Sequence, residues 1–253
     1  MSRPDLSVII PAFNEAKRIE CCIREVMSAL GALDRPWELI VVDDGSADAT
    51  VALARAAAGS DTRVRIVEAP HRGKGGAVRH GMLAATGHLR LMTDADLATP
   101  LSALPQFLRA DADIVIGSRE GTGAVRIDEP WRRHAIGRLF NWIVKATVLR
   151  GIEDTQCGFK LFRAVAADAL FPHQRIDGFG FDVEILFLAR RAGYAVVSVP
   201  VTWSYRSDSK VDAVSGVAGF LDVMRVRWNA WRGAYDGLSA KVPMSAPGAR
   251  EVS

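Results

Sequence analysis

Asp94 and Asp96 stand one residue apart in Leu91-Met-Thr-Asp-Ala-Asp-Leu-Ala-Thr99, after a short apolar run that reads as a buried strand. Carboxylates at the carboxyl end of such a strand lie in the crevice where open α/β sheets bind ligands. D-x-D spacing on a strand-to-loop turn can offer oxygens to one hard divalent cation, which takes few protein carboxylates and fills its shell with phosphate and water. A solvated turn is the competing account, because Asp readily bonds its own backbone there. The neighbouring motifs have to decide.

The elements that would position these acids alternate. Leu6 to Pro11, Trp37 to Asp43, Val64 to Glu68, His88 to Thr93 and Asp113 to Gly117 read as strands. Between the first four lie helical patterns: apolar Ile19, Ile23, Val26, Met27 and Leu30, an Ala-rich stretch from Asp48 to Ala58 with Ser46 as its N-cap, and a stretch through Ala85 that opens at Pro70-His-Arg-Gly-Lys-Gly-Gly76. This alternation predicts a mostly parallel sheet covered by helices on both faces. Glu15, Asp43, Lys74 and Asp94 then fall at strand C-terminal ends or in the loops beyond, facing one crevice. The glycine loop is neither G-x-G-x-x-G nor a Walker A sequence. A phosphate-approaching loop and a flexible basic turn both fit it.

The second half is less regular. Residues 120–134 carry Gly121, Gly123, Pro130, Arg126, Arg132, Arg133 and His134 without periodicity and read as a mobile loop. Ile136, Leu139, Phe140, Ile143, Val144 and Val148 form a helical stripe, read as core or as a helix on a membrane surface. In Asp154-Thr-Gln-Cys-Gly-Phe-Lys160, Asp154 and Lys160 are the candidates for polar work, and Cys157 reads as a small buried hydrophobe. Asp182 and Glu184 open a helix, where the dipole alone would favour them. Tyr194 to Trp203 reads as a strand, and Ser204 to Val211 as a polar loop with Arg206 and Lys210. Val217, Leu221, Met224, Trp228 and Trp231 form a stripe with Arg225, Arg227 and Arg232 around it, suited to an anionic membrane surface or to packing on the domain. One domain over 1–235 is expected, with a nucleotide-binding half at 5–118, an acceptor half at 119–235 and a disordered tail at 236–253.

Composition narrows the classes. The 253 residues are 49% hydrophobic and 24% charged, with a net charge of +3, which does not argue for nucleic acid. Cys21, Cys22 and Cys157 have neither zinc spacing nor the pattern of a disulfide framework. No signal peptide is evident, and no uncharged apolar run approaches the roughly 18–20 residues of a membrane span.

Taken together, Val8-I-I-P-A-F-N-E15, Ile40-V-V-D-D-G-S46, Gly73-K-G-G-A-V78 and Thr93-D-A-D96 resemble the family 2 inverting glycosyltransferases, which adopt the GT-A nucleotide-sugar fold. Ile114-V-I-G-S-R119, Asp154-T-Q-C-G-F-K160, Phe181-D-V-E184, Val199-P-V-T-W203 and Ser209-Lys210 resemble the branch that glycosylates polyprenyl phosphates, closest to dolichyl-phosphate β-glucosyltransferases. The resemblance spans roughly residues 5–212. It implies Pro11, Ala12, Phe13, Glu15, Asp43, Asp44 and Lys74 at the nucleotide-sugar, and Asp94, Ala95 and Asp96 at the diphosphate with Mg²⁺ or Mn²⁺. Arg119, Arg132, Arg133 and Lys210 would meet the acceptor phosphate. Ala98 stands where the mannosyl branch usually has Gln, which points to glucosyl relatives. The eukaryotic glucosyl enzymes carry an N-terminal anchor; here the first strand begins at Leu6, so attachment at the cytoplasmic face is expected to be peripheral or through an integral membrane partner.

The expected reaction moves a hexose, from UDP-glucose first and GDP-mannose second, to a polyprenyl phosphate with inversion. Asp94, Asp96, Asp154, Arg119 and Lys210 are the catalytic candidates, with Asp154 either orienting the cations or the sugar or holding its own turn. An alternative is transfer to a sugar hydroxyl with Asp154 or Asp182 as base. Another is a nucleotide-sugar-binding subunit of a membrane complex without turnover.

Overall fold

The computed structural model describes residues 3–128, 149, 151–205 and 213–241. Mostly aliphatic runs, with single polar residues such as Ser7, Glu38, Arg65 and Arg90 among them, build a sheet covered on both sides. Its strands are β1 (Leu6–Ala12), β2 (Trp37–Asp43), β3 (Val64–Glu68), β4 (Leu89–Met92), β5 (Ile114–Ser118), β7 (Lys160–Arg163) and β8 (Val196–Pro200). They lie in the order β3-β2-β1-β4-β7-β5-β8. β7 runs antiparallel to β4 and β5, and the other pairs are parallel. β6 (Val125–Ile127) and β9 (Thr202–Ser204) form a separate parallel pair.

Alternation along the strands splits the core in two. Ile9, Ile40, Val42 and Met92 face α3 (Lys74–Ala84), α5 (Ala164–Leu170) and α6 (Phe181–Arg191), whereas Val8, Ile10, Leu39 and Val41 face α1 (Ile19–Gly31), α2 (Thr50–Ala58) and α4 (Leu104–Arg109). α3 lies so close to the sheet that a Cβ on Gly81 would fall 2.4 Å from Ile9 Cγ2. The last helix, α7 (Ala213–Trp231), joins the first of these two layers through Val223.

The first half follows the sequence reading closely, and the departures lie at polar or short segments. Ser46 does not cap α2; its hydroxyl accepts the Asn14 N–H at 2.8 Å, while Asp48 Oδ1 accepts the Thr50 N–H at 3.0 Å. The loop expected from 120 contains β6. The strand expected over Tyr194–Trp203 is two strands: Val201 N–H still donates to Ser118 O at 3.0 Å, but Val201 O accepts the Val125 N–H at 3.1 Å, so the chain passes from β5 to β6 as its partner, and Pro200 lies on the edge strand, where proline is tolerated. Of the tail expected from residue 236, residues 236–241 are described, and Lys241 donates its N–H to Ala192 O at 2.7 Å and places its ammonium 2.7 Å from Asp113 Oδ2. The stripe from Ile136 to Val148, the polar loop around Arg206 and Lys210, the cations Arg132 and Arg133, and residues 242–253 lie outside the described residues.

Candidate active site

β1, β2 and β4 end side by side, and the chain order reverses between β1 and β4, the switch point at which open α/β sheets form a ligand crevice. The loops after β1 and β2 are laced together. Beside the Asn14 bond to Ser46, the Glu15 N–H donates to Thr50 Oγ1 at 2.7 Å, and Ala47 N–H donates to Asn14 Oδ1 at 2.8 Å. Asn14 takes a positive φ of 51°, a conformation Asn tolerates better than most residues. These bonds fix Pro11, Ala12, Phe13 and Glu15 along one rim, with Glu15 paired to Arg18 at 2.7 Å.

Asp43 and Asp44 end β2 with different duties. Asp43 is buried; its Oδ2 accepts the Ser46 N–H at 2.9 Å, and its Oδ1 has no hydrogen-bond partner among the described residues. Such an orphaned acceptor is costly, and it is suited to an N–H or O–H brought by a ligand. Asp44 instead organises the glycine loop: its carboxylate accepts the Arg72 and Gly73 N–H groups, each at 2.9 Å, and lies 2.8 Å from His71 Nδ1. His71 stacks on Phe13 with ring centroids 4.3 Å apart, an aromatic wall that the sequence reading did not assign.

Gly73, at φ +115°, turns the chain into α3 and delivers Lys74. Lys74 Nζ lies 2.6 Å from Asp94 Oδ1. Burial works against the Lys74 charge, but the carboxylates of Asp94, Asp182 and Asp96 outweigh it and raise its pKa above the usual lysine value. Asp94 follows β4, where Thr93 N–H still bonds Ile9 O at 3.0 Å. The turn closes with Leu97 at φ 46° and the Ala98 N–H on Asp96 Oδ1 at 3.0 Å. The Asp turn is therefore real, yet its one N–H bond does not offset burial first and then the Asp94 charge, which raise the Asp96 carboxyl above the usual range.

This arrangement fits a hard divalent cation. A Cβ on Gly158 would fall 1.9 Å from Asp94 Oδ2, so glycine leaves the volume that the Asp94 carboxylate occupies. Two mutually repelling carboxylates gain from a shared cation, and an oxygen-only set suits Mg²⁺ or Mn²⁺. Among the described residues no group of three or more His, Cys, Asp or Glu forms a metal cluster. Asp94 and Asp96 are thus the pair that could hold such an ion alongside water and phosphate oxygens.

Deeper lie two ion pairs. Arg119 grips Asp154 with Nε at 2.6 Å and Nη2 at 2.8 Å, and its backbone N–H adds a third bond at 3.0 Å. Burial would raise the Asp154 carboxyl, but Arg119 overrides it and brings it down to about 2. Arg119 also lies over the Trp203 ring at 5.4 Å. Its charge is therefore held by an internal carboxylate, which fixes the guanidinium in one orientation. Lys160 Nζ lies 2.5 Å from Asp182 Oδ1, both almost fully buried. Burial holds the Asp182 carboxyl above the usual range, with Lys160 and Lys74 opposing it. Asp182 is thus the partner of a core lysine, and Glu184 accepts the Arg175 and Ile176 N–H groups and the Tyr235 hydroxyl. The dipole account of these two acids is too small. Cys157 is buried, and burial raises its thiol.

A mixed sheet of this order, with an acid pair beyond β4 and laced loops beyond β1 and β2, defines a GT-A nucleotide-sugar fold. Residues 7–171 match the family described as "Glycosyl transferase family 2", and the chain belongs to that family. It is 38% identical to a dolichyl-phosphate β-glucosyltransferase of Drosophila melanogaster, over 82% of this chain and 69% of the relative. A Saccharomyces cerevisiae protein of the same description is 33% identical over 91% of this chain and 76% of its own length. Among solved structures, glucosyl-3-phosphoglycerate synthase from Mycobacterium tuberculosis in complex with Mn²⁺, UDP and glucosyl-3-phosphoglycerate superposes with a TM-score of 0.63 at 20% identity, covering 88% of this chain and 80% of that one. That likeness concerns the fold.

Proposed function

We propose that the protein transfers glucose from UDP-glucose to a polyprenyl phosphate of the dolichyl type, inverting the anomeric carbon. The names of its family 2 relatives support the reaction, and the Mn²⁺ and UDP held by the mycobacterial synthase support the donor and a divalent ion. One observation of this chain favours a phosphate over a hydroxyl acceptor. Both acids suggested as a base for a hydroxyl are committed: Asp154 to Arg119, as a carboxylate of very low basicity, and Asp182, raised by burial but almost fully enclosed, to Lys160. A phosphate monoester, with a second pKa near 6, is already anionic at neutral pH and needs no base.

In this reading Asp43 and the Phe13–His71 wall receive the nucleoside, and the Gly73–Gly76 turn lets the backbone approach the diphosphate. Lys74, held by Asp94, adds positive charge where negative charge gathers on the departing UDP. A divalent ion on Asp94 and Asp96, Mg²⁺ or Mn²⁺, would supply the remaining electrostatic stabilisation of that leaving group. Asp154 positions Arg119, and Trp203 limits its swing. Arg132, Arg133 and Lys210 are the further acceptor-phosphate candidates. The acceptor is a lipid, so we place the reaction at the cytoplasmic face of a membrane, with the protein peripheral or held by an integral partner. Among the described residues no helix is long and apolar enough to cross one.

The test incubates purified protein with Mg²⁺ or Mn²⁺, labelled UDP-glucose and a short polyprenyl phosphate, followed by lipid extraction. Label in the lipid phase as a β-linked glucosyl phosphate supports the reading. Label that stays aqueous, with donor binding demonstrated in parallel, rejects it.

A further inference from the structure

α7 presents two unlike faces. Asp222, Val223 and Val226 are buried. Asp222 Oδ2 accepts the Gly180 N–H at 3.3 Å, and a Cβ on Gly180 would fall 2.2 Å from Asp222 Cβ, so the helix is seated tightly on the 177–180 loop. That loop in turn meets the start of α3: Asp177 O accepts the Gly76 N–H at 3.1 Å, and a Cβ on Gly73 would fall 2.7 Å from it. The inner face of α7 is therefore one loop removed from Lys74.

The outer face is apolar and bare. Leu221, Met224, Trp228 and Trp231 are 52%, 46%, 54% and 77% exposed, and the two indole rings lie 5.1 Å apart. At about 100° per residue these four form one strip on the side opposite the buried residues. Exposed Arg227 flanks one edge of the strip and exposed Arg232 the other, beside Arg225, whose guanidinium lies 2.9 Å from Asp222 Oδ1. The Arg232 guanidinium also lies 5.8 Å from the Trp228 ring.

We propose that this strip docks on an anionic lipid bilayer. Indoles bring an apolar body and an N–H suited to the headgroup boundary, and arginines on both edges can extend to lipid phosphates while their stems stay on apolar surface. The charge pattern matches an anionic surface, which a self-association face lined with arginine on both edges does not. The purpose rests on the lipid-acceptor reading: a helix fixed to the bilayer outside and to the 177–180 loop inside would set the crevice at a fixed height over the acceptor phosphate. The binding itself is independent of that reading.

The experiment is flotation of the full chain with vesicles of phosphatidylcholine alone or with phosphatidylglycerol, no acceptor being present. Native protein is expected to float with the phosphatidylglycerol vesicles, with blue-shifted tryptophan emission, and to be released as salt rises. Trp228→Gln with Trp231→Gln should lower partitioning on the order of tenfold or more, and Arg227→Glu with Arg232→Glu should abolish the preference for anionic vesicles. The tryptophan variant should retain native transfer to a short, water-soluble prenyl phosphate. Native protein that does not float at low salt, or a tryptophan variant that floats like native, overturns the proposal. So does a concentration-dependent dimer that the tryptophan substitutions dissolve, with no vesicle binding. Flotation as expected, from a protein that transfers glucose to no acceptor, supports the docking surface and removes the acceptor reading alone.

Discussion

The Lys74 ammonium lies 2.6 Å from Asp94 Oδ1 and joins the glycine-rich start of α3 to the acid pair beyond β4. Lys74 opens α3 beyond β3 and Asp94 follows β4; Gly73 and Gly75 let the start of α3 lie against the 176–181 segment, and Gly158 leaves room for the Asp94 carboxylate. The contact sets a cation among three carboxylates, Asp94, Asp96 and Asp182, within reach of the place assigned to a diphosphate.

Gly158 should be intolerant for a catalytic and not a folding reason. Gly158→Ala forces the Asp94 carboxylate from its seat, and a displacement of about 1 Å in a reacting group costs on the order of a hundredfold in rate. Steady-state kcat/KM with UDP-glucose should fall by about that factor while the far-ultraviolet circular dichroism stays native. Gly31→Ala, whose Cβ would meet nothing within 4 Å, is the control and should leave kcat/KM unchanged.

Acid should unfasten Asp154. Its folded pKa, about 2, lies below the unfolded value of roughly 3.9, so its stabilisation is present in full above the unfolded value and is lost as pH falls toward the folded one. Linkage gives about 2 kcal/mol for this group. Thermal melts between pH 5 and pH 2 should show Tm falling for native protein. In Asp154→Asn the fall should be shallower, and its Tm at pH 7 should be much lower because Arg119 is left without its carboxylate.

The Lys160–Asp182 pair should be strongly non-additive. Lys160→Met leaves a buried carboxylate without its hydrogen-bonded cation, with only Lys74 opposing the burial, at a cost of about 3–5 kcal/mol in urea unfolding. Adding Asp182→Leu should restore most of that stability, because an apolar pair can replace a buried ion pair. If the single and double variants are equally destabilised, the pair is not the compensated unit described here.

Much of the fold could be read from the chain because β1, β2 and β3 are apolar or alternating runs closed by polar residues, and because Ile19, Ile23, Val26 and Leu30 keep helical spacing. Local signals reach no further than their own element. β7 escaped notice because it is four residues long and begins with a buried lysine, which reads as loop until Asp182, 22 residues on, is known to face it. Glu184 looked like a first-turn acid because its partners, Arg175, Ile176 and Tyr235, lie outside its own turn. His71 sat in a basic loop with nothing in sequence to place it against Phe13. Gly158 carries no signal of its own, and only the position of Asp94 explains it.

The proposed transfer requires Asp94 and Asp96 to hold a divalent ion together with the donor diphosphate. Calorimetric titration of UDP-glucose into the full chain, with Mn²⁺ or after its removal by chelation, tests this most directly. Native protein should bind the donor at least about tenfold more tightly with the metal, a difference of roughly 1.4 kcal/mol, and Asp94→Asn with Asp96→Asn should abolish the difference. Metal-independent donor affinity in native protein, or a metal effect that survives in the double variant, would contradict it.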